Sequence, residues 1–168
     1  RASASLSYPA QPVIRCMNAL HPTSLVAIDI LKPYGTVDGE TLLLTQCSDV
    51  SGSLTPPGSF TSIQDTSNVA IWHQAYYRVA SSEGSSYTVA NNTQANILTT
   101  LMRISNAATS SPISTSSSAT GTSSTPTGTA ITPGQDNCLL IYTQGCDDDE
   151  VQTGTGTPST WTHAYSES

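Results

Sequence analysis

Apolar and polar residues alternate with a period of two from Asn68 to Ala80, the clearest pattern in the chain. Val69, Ile71, Ala75, Tyr77 and Val79 alternate with Ala70, Trp72, Gln74, Tyr76 and Arg78, which predicts a β-strand. The first set is assigned to the core, with Gln74 and Arg78 more accessible and Trp72 and Tyr76 offered to a neighbour or to solvent. A slip of one residue would exchange the two faces. Ser85 to Ala90 is expected to pair with this strand as a hairpin through Ser81-Ser82-Glu83-Gly84. Ser24 to Leu31 also alternates, with Val26, Ile28 and Ile30 on one face. Thr41 to Cys47 is almost continuously apolar, which predicts a central strand buried on both faces. Ala95 to Ser105 satisfies helical spacing through Ile97, Leu98, Leu101, Met102 and Ile104, with Asn92 as a cap; Thr99-Thr100 and the surrounding strands favour a strand.

Between these runs the chain is punctuated by turn chemistry. Lys32-Pro33-Tyr34-Gly35, Asp38-Gly39 and Pro56-Pro57-Gly58 each end a pairing. Residues 1–21 read as a polar, proline-marked arm, and 22–168 as one β-sandwich domain. Thr109 to Pro133 is rich in Ser and Thr; a linker fits that composition, but Thr125 to Thr132 has the pattern of a polar edge strand, so exposed, ordered strands are expected. Cys138 to Gly145 and Ser159 to Tyr165 supply the last strands.

Two segments are alike. Thr41 to Thr61 and Leu139 to Thr162 each run from apolar residues through Thr-Gln, a cysteine and acids, then a Gly/Ser/Thr loop into Thr-Pro, an aromatic residue and Thr. The repeat predicts an all-β, antiparallel β-sandwich, jelly-roll-like, built from two related halves. The second half breaks off early, which leaves strand Ser159–Tyr165 as an open edge for another chain or for a continuation of this one.

Composition narrows the function. Charged residues are 10% of the 168, and the net charge is −7 with only five Lys and Arg in all. A nucleic-acid binder needs several cations on one face, so nucleic acid is not an expected partner. No apolar run approaches the roughly 18 residues of a membrane span. The hydroxyl- and amide-rich surface suits an extracellular or virion-surface β protein.

Cys16, Cys47, Cys138 and Cys146 are even in number. Cys138 and Cys146 flank one predicted strand and would lie roughly 25 Å apart, too far to bond. Two pairings stay open: Cys16–Cys138 with Cys47–Cys146, or Cys16–Cys146 with Cys47–Cys138. All four also fit as small buried hydrophobes. No CxxC clip marks a zinc site.

Asp147, Asp148, Asp149 and Glu150 put hard carboxylate oxygens on a loop, as calcium requires, but without EF-hand alternation. Four adjacent acids repel one another, so a solvated surface loop without a tightly held metal is the expectation. His73 falls on the inward set of its strand, as a core histidine. Asn91-Asn92-Thr93 is a glycosylation sequon. No nucleophile elbow, phosphate loop or zinc-protease motif is present, so no catalytic residue, enzymatic activity or cofactor is assigned.

Several short motifs resemble a β-sandwich domain that recurs in virion surface proteins of tailed bacteriophages and in environmental bacterial proteins. They are Asp38-Gly39-Glu40-Thr41-Leu42-Leu43-Leu44, Thr55-Pro56-Pro57-Gly58-Ser59-Phe60-Thr61, and Tyr77-Arg78-Val79-Ala80 with Glu83-Gly84-Ser85-Ser86-Tyr87-Thr88. Arg103-Ile104-Ser105-Asn106 with Ser111-Pro112-Ile113, and Asp136-Asn137-Cys138-Leu139-Leu140 with Asp147-Asp148-Asp149, extend the likeness. The resemblance implies a non-enzymatic structural protein on a phage-like particle, as a capsid decoration, tail or fibre component. Its partners would be other protein subunits, in a homo-oligomer or with capsid or tail proteins, met through β-sheet edges and apolar contacts. A second class is a secreted carbohydrate-binding or adhesin module, in which Trp72, Tyr76 and Trp161 are stacking platforms and the acidic loop holds calcium. The expected location is the virion surface or the extracellular space.

Overall fold

The computed structural model describes residues 10–22, 25–48, 54–68, 71–121 and 128–145. Its strands are β1 (Val13–Leu20), β2 (Leu25–Leu31), β3 (Thr41–Ser48), β4 (Leu54–Thr55), β5 (Thr61–Asn68), β6 (Ile71–Val79), β7 (Ser86–Ala95) and β8 (Ile97–Ser105). No helix occurs among the described residues. A five-stranded sheet has the order β1-β8-β3-β6-β5, and a three-stranded sheet has β2-β7-β4. Every pairing is antiparallel.

The pairings β1 with β8, β2 with β7, and β3 with β6 are nested, as in a long hairpin doubled back and rolled between two sheets. This much matches a jelly-roll-like order. The innermost pair departs from it, because β5 pairs with β6 and extends the larger sheet while β4 pairs with β7.

The two sheets share one apolar core. Ile28 and Ile30 of β2 and Tyr87 and Val89 of β7 pack against Leu42 and Leu44 of β3, Tyr76 of β6 and Ile97 and Leu101 of β8. A second cluster forms on the opposite face of the larger sheet around Leu43, Met102 and Ile104, with Ile14, Met17, Ile63, Ala107 and Ile141 packed on it. Strand β3 lies between β6 and β8 with a layer on each side. That accounts for its continuous apolar run: every residue is buried except Cys47, which is half-buried. Thr45 and Thr100, opposite each other on β3 and β8, satisfy their hydroxyls mutually at 2.6 Å.

The faces of β6 are the reverse of those expected. Gln74 and Tyr76 are buried, at 1% and 5% exposure, and Tyr76 belongs to the inter-sheet core. Arg78 lies on the same side, its guanidinium 5.8 Å from the Phe60 ring, while Tyr77 pairs with Leu43 on the outer face. Alternation reports which face is buried only when the other is solvated, and here both are covered.

The expected hairpin of β6 with Ser85–Ala90 also does not form. The connection crosses between sheets, and β7 pairs with β2 and β4 instead. Val13–Leu20, expected to lie wholly within the arm of residues 1–21, is instead an edge strand paired to β8.

The second copy of the internal repeat does not repeat the first structurally over residues 139–145. No strand forms there, or in 128–132. Leu139, Leu140 and Tyr142 are 38%, 52% and 48% exposed, and Ile141 alone reaches the outer cluster. The backbone edges of β3 are already taken by β6 and β8, so this later run docks a side chain rather than pairing. Strand Ser159–Tyr165 and the open edge inferred from it fall outside the described residues.

Candidate functional site

One end of the sandwich is built to present apolar side chains on a fixed backbone. The β2–β3 connection turns at Lys32-Pro33-Tyr34-Gly35, where the Thr36 amide and hydroxyl both donate to the Pro33 carbonyl, at 3.3 and 2.7 Å. Gly35 has φ +73°, and a Cβ there would come within 2.7 Å of Arg103 Nη1. Only glycine meets both conditions without strain.

Arg103 locks the turn. Its Nε and Nη2 donate to Glu40 Oε2 and Oε1 at 2.6 and 2.9 Å, and its Nη1 donates to the Tyr34 carbonyl at 3.1 Å. The Val37 amide also donates to Glu40 Oε2, at 3.0 Å. The Arg103 guanidinium holds the Glu40 carboxyl below its ordinary pKa, against an opposing push from burial.

The β6–β7 connection braces this loop from the side. Glu83 accepts from the Tyr87 hydroxyl at 2.6 Å, from the Ser81 amide at 2.8 Å and from Arg78 Nη2 at 2.8 Å. The Ser82 amide donates to Asp38 Oδ1 at 2.7 Å, and the Gly39 amide to the Ala80 carbonyl at 2.9 Å. Burial, with the bond to Glu83 second, raises the Tyr87 pKa far above the ordinary phenol value.

On this frame Tyr34 is 90% exposed, Leu31 64% and Val37 58%. Scattered exposed apolar residues are ordinary. Here, however, three lie within seven positions of one another, and the aromatic tip sits on a backbone that loses little freedom when a partner binds. The signal in the sequence is an aromatic residue inside a Pro–Gly turn, where a polar residue serves the turn equally well.

The residues singled out from sequence are dispersed. Trp72 is half-buried, and its indole N–H donates to Asp65 Oδ1 at 2.5 Å. Tyr76, expected on an outward face, is in the core, where burial and then the Asp65 charge push its pKa up to about 12. Its ring therefore presents no face to a sugar. Trp161 and the acidic run Asp147, Asp148, Asp149 and Glu150 lie outside the described residues. Among those described, no three His, Cys, Asp or Glu side chains gather at metal-binding distance. His73 faces the outer layer opposite Cys47, and burial lowers its pKa.

Two other features could in principle receive a ligand. An open groove of about 450 Å³ is lined by Leu20, His21, Pro22, Ala27, Ile28 and Asp29. Its lining is mostly apolar, with His21 and Asp29 as the polar side chains. Inside the sandwich, Gln46 lies between Gln74 of β6 and Thr99 of β8, all buried. Both amide ends of Gln46, Gln74 Oε1 and Thr99 Oγ1 have no hydrogen-bond partner among the described residues.

Neither a family model, nor a curated protein sequence, nor a solved structure matches this chain.

Proposed function

We propose that this chain is a non-enzymatic structural domain on the surface of a phage-like particle, joined to other protein subunits through the Leu31–Val37 loop and neighbouring strand edges. The observation that carries this reading is the 90% exposure of Tyr34 on a turn held by the Arg103–Glu40 pair. A rigid, exposed aromatic flanked by Leu and Val has the chemistry of an interface anchor. The charge balance agrees: with a net charge of −7, affinity must come from apolar and backbone contacts rather than from attraction to phosphate. The choice of particle rests on the resemblance of short motifs, from Asp38-Gly39-Glu40 to Asp136-Asn137-Cys138, to phage surface domains.

The test is sedimentation velocity of the wild-type chain and of Tyr34→Ala over a wide concentration range. Self-association is expected in the wild type, with the variant weakened about tenfold or more at an unchanged urea midpoint. A wild-type chain that stays monomeric and binds immobilised glycans would replace this reading with the adhesin one.

A further inference from the structure

We infer that the free edge of β2, where it borders the groove beside Leu20, His21 and Pro22, takes an extended peptide segment of a partner protein as an added strand, with a basic residue of that segment beside Asp29. The backbone sets the geometry. The Lys32 amide donates to the Ser85 carbonyl at 2.9 Å, in register with the ladder that pairs Ile30 with Tyr87 and Ile28 with Val89. In an antiparallel ladder, bonded pairs recur at every second residue. Ala27, Asp29 and Leu31 therefore turn their amides and carbonyls away from β7, on the side where β2 ends its sheet. The Asn18 side chain agrees with this direction, donating to the Leu31 carbonyl at 2.7 Å, where the amide of a further strand would lie. No bond of this kind reaches the Ala27 or Asp29 backbone from the described residues.

The groove is placed to hold such a strand. Its volume of about 450 Å³ is bounded by Ala27, Ile28 and Asp29 on one side and by Leu20, His21 and Pro22 on the other. The second wall is fixed, because the Ile97 amide donates to the Pro22 carbonyl at 3.2 Å. Residues opposite each other in a ladder share a face of the sheet. Ile28 and Ile30 face the inter-sheet core, so the residues of an added strand opposite them turn towards the apolar lining. The residue between those two comes beside Asp29, on the outer face, where Asp29 Oδ1 accepts from Thr88 Oγ1 at 2.5 Å.

Charge selects the occupant. Asp29 and the net charge of −7 favour a segment that reads apolar, basic, apolar. A second copy of this chain fits poorly. In either register that pairs both Ala27 and Asp29, β2 against β2 sets the two Asp29 carboxylates opposite or diagonal to each other on one face, where like charges oppose pairing. The register centred on Asp29 also calls on the Leu31 carbonyl that Asn18 already holds. That the segment belongs to a neighbouring subunit rests on the structural role proposed above; the groove and its backbone edge are separate from the Tyr34 turn.

The test is an amide NMR titration of the full chain with the acetylated and amidated peptide Ser-Thr-Val-Arg-Val-Thr-Ser, and with its counterpart carrying Glu in place of Arg. The Arg peptide should bind with a Kd of about 1 mM or tighter. It should shift the amides of Leu20, His21, Ala27, Ile28 and Asp29 and slow hydrogen exchange at Ala27 and Asp29. The Glu peptide should bind about threefold more weakly, and Asp29→Asn should erase that difference. Ala27→Pro should abolish binding, because it removes an outward amide and spares the ladder to β7; if that variant unfolds, the wild-type shifts decide by themselves. Tyr34→Ala should bind the Arg peptide as the wild type does, so a failure here and a failure of self-association at the Tyr34 turn are separate results. No shift at these amides up to about 5 mM peptide, shifts confined to other residues, equal affinity for the two peptides, or dimerisation through β2 without peptide binding would overturn the inference.

Discussion

Leu43 and Leu44 are adjacent on β3 but face different layers, so truncating each to alanine separates the contribution of the two sides of the larger sheet. Leu44 has no exposed surface and lies in the inter-sheet core. Leu43, 6% exposed, lies in the outer cluster, roofed by partly exposed residues that include Ile141. Leu→Ala deletes three carbons, about 2.4 kcal/mol at ~0.8 kcal/mol per group. The enclosed site adds a cavity cost, which brings Leu44→Ala to about 3–5 kcal/mol. The outer layer can settle inward, so Leu43→Ala is expected to cost about 2–3 kcal/mol. The assay is urea unfolding under reducing conditions, followed by far-UV circular dichroism. Double-mutant cycles of Ile141→Ala with Leu43→Ala and with Met102→Ala should show a coupling of about 0.5 kcal/mol or more in at least one cycle, as side chains in contact do. A cost below about 1 kcal/mol for Leu43→Ala, with no coupling in either cycle, would mean that the outer face is bare. It would remove the docked segment from the account.

Gln46→Met should stabilise the fold by about 1 kcal/mol in the same assay, because neither amide end of Gln46 has a partner to lose; a loss of more than 1 kcal/mol would show that those groups are satisfied. Stability should fall on acidification in two windows. His73 has a folded pKa below its ordinary 6.5, so its contribution is whole above that pH and shrinks as pH drops below it. Glu40, lowered from 4.5 by Arg103, acts the same way in a more acid range. His73→Gln should flatten the upper part of the urea-midpoint profile and Glu40→Gln the lower, and profiles parallel to wild type would contradict both assignments. In a spectrophotometric titration, Tyr76 and Tyr87 should ionise above the ordinary phenol pKa. Their folded pKa values are raised, so the stability they confer is complete below pH 10 and is lost as pH climbs through the folded values; Tyr76→Phe should remove one late-titrating group. Millimolar calcium should leave the melting temperature unchanged, and a rise abolished by Asp148→Ala would show a built site in the acidic run.

The sequence by itself determined the class of the fold and most strand positions. Ser24–Leu31, Thr41–Cys47, Asn68–Ala80 and Ala95–Ser105 all contain strands, because period-two patterning and Pro–Gly punctuation act within a few residues. It also identified β3 as buried on both sides, since only a doubly covered strand tolerates such a run. Tertiary structure decided the rest. Which face of β6 turns inward depended on a second covering layer, from residues far along the chain, which made both faces apolar. Whether Leu139–Gln144 paired or docked depended on β6 and β8 having already occupied the edges of β3. The exposed Leu31, Tyr34 and Val37 follow from Arg103, 63 residues from Glu40, closing on the turn beneath them. Cys47 meets Gly145 for the same reason: contacts set by how sheets are covered leave no local periodic trace, so only the assembled fold shows them.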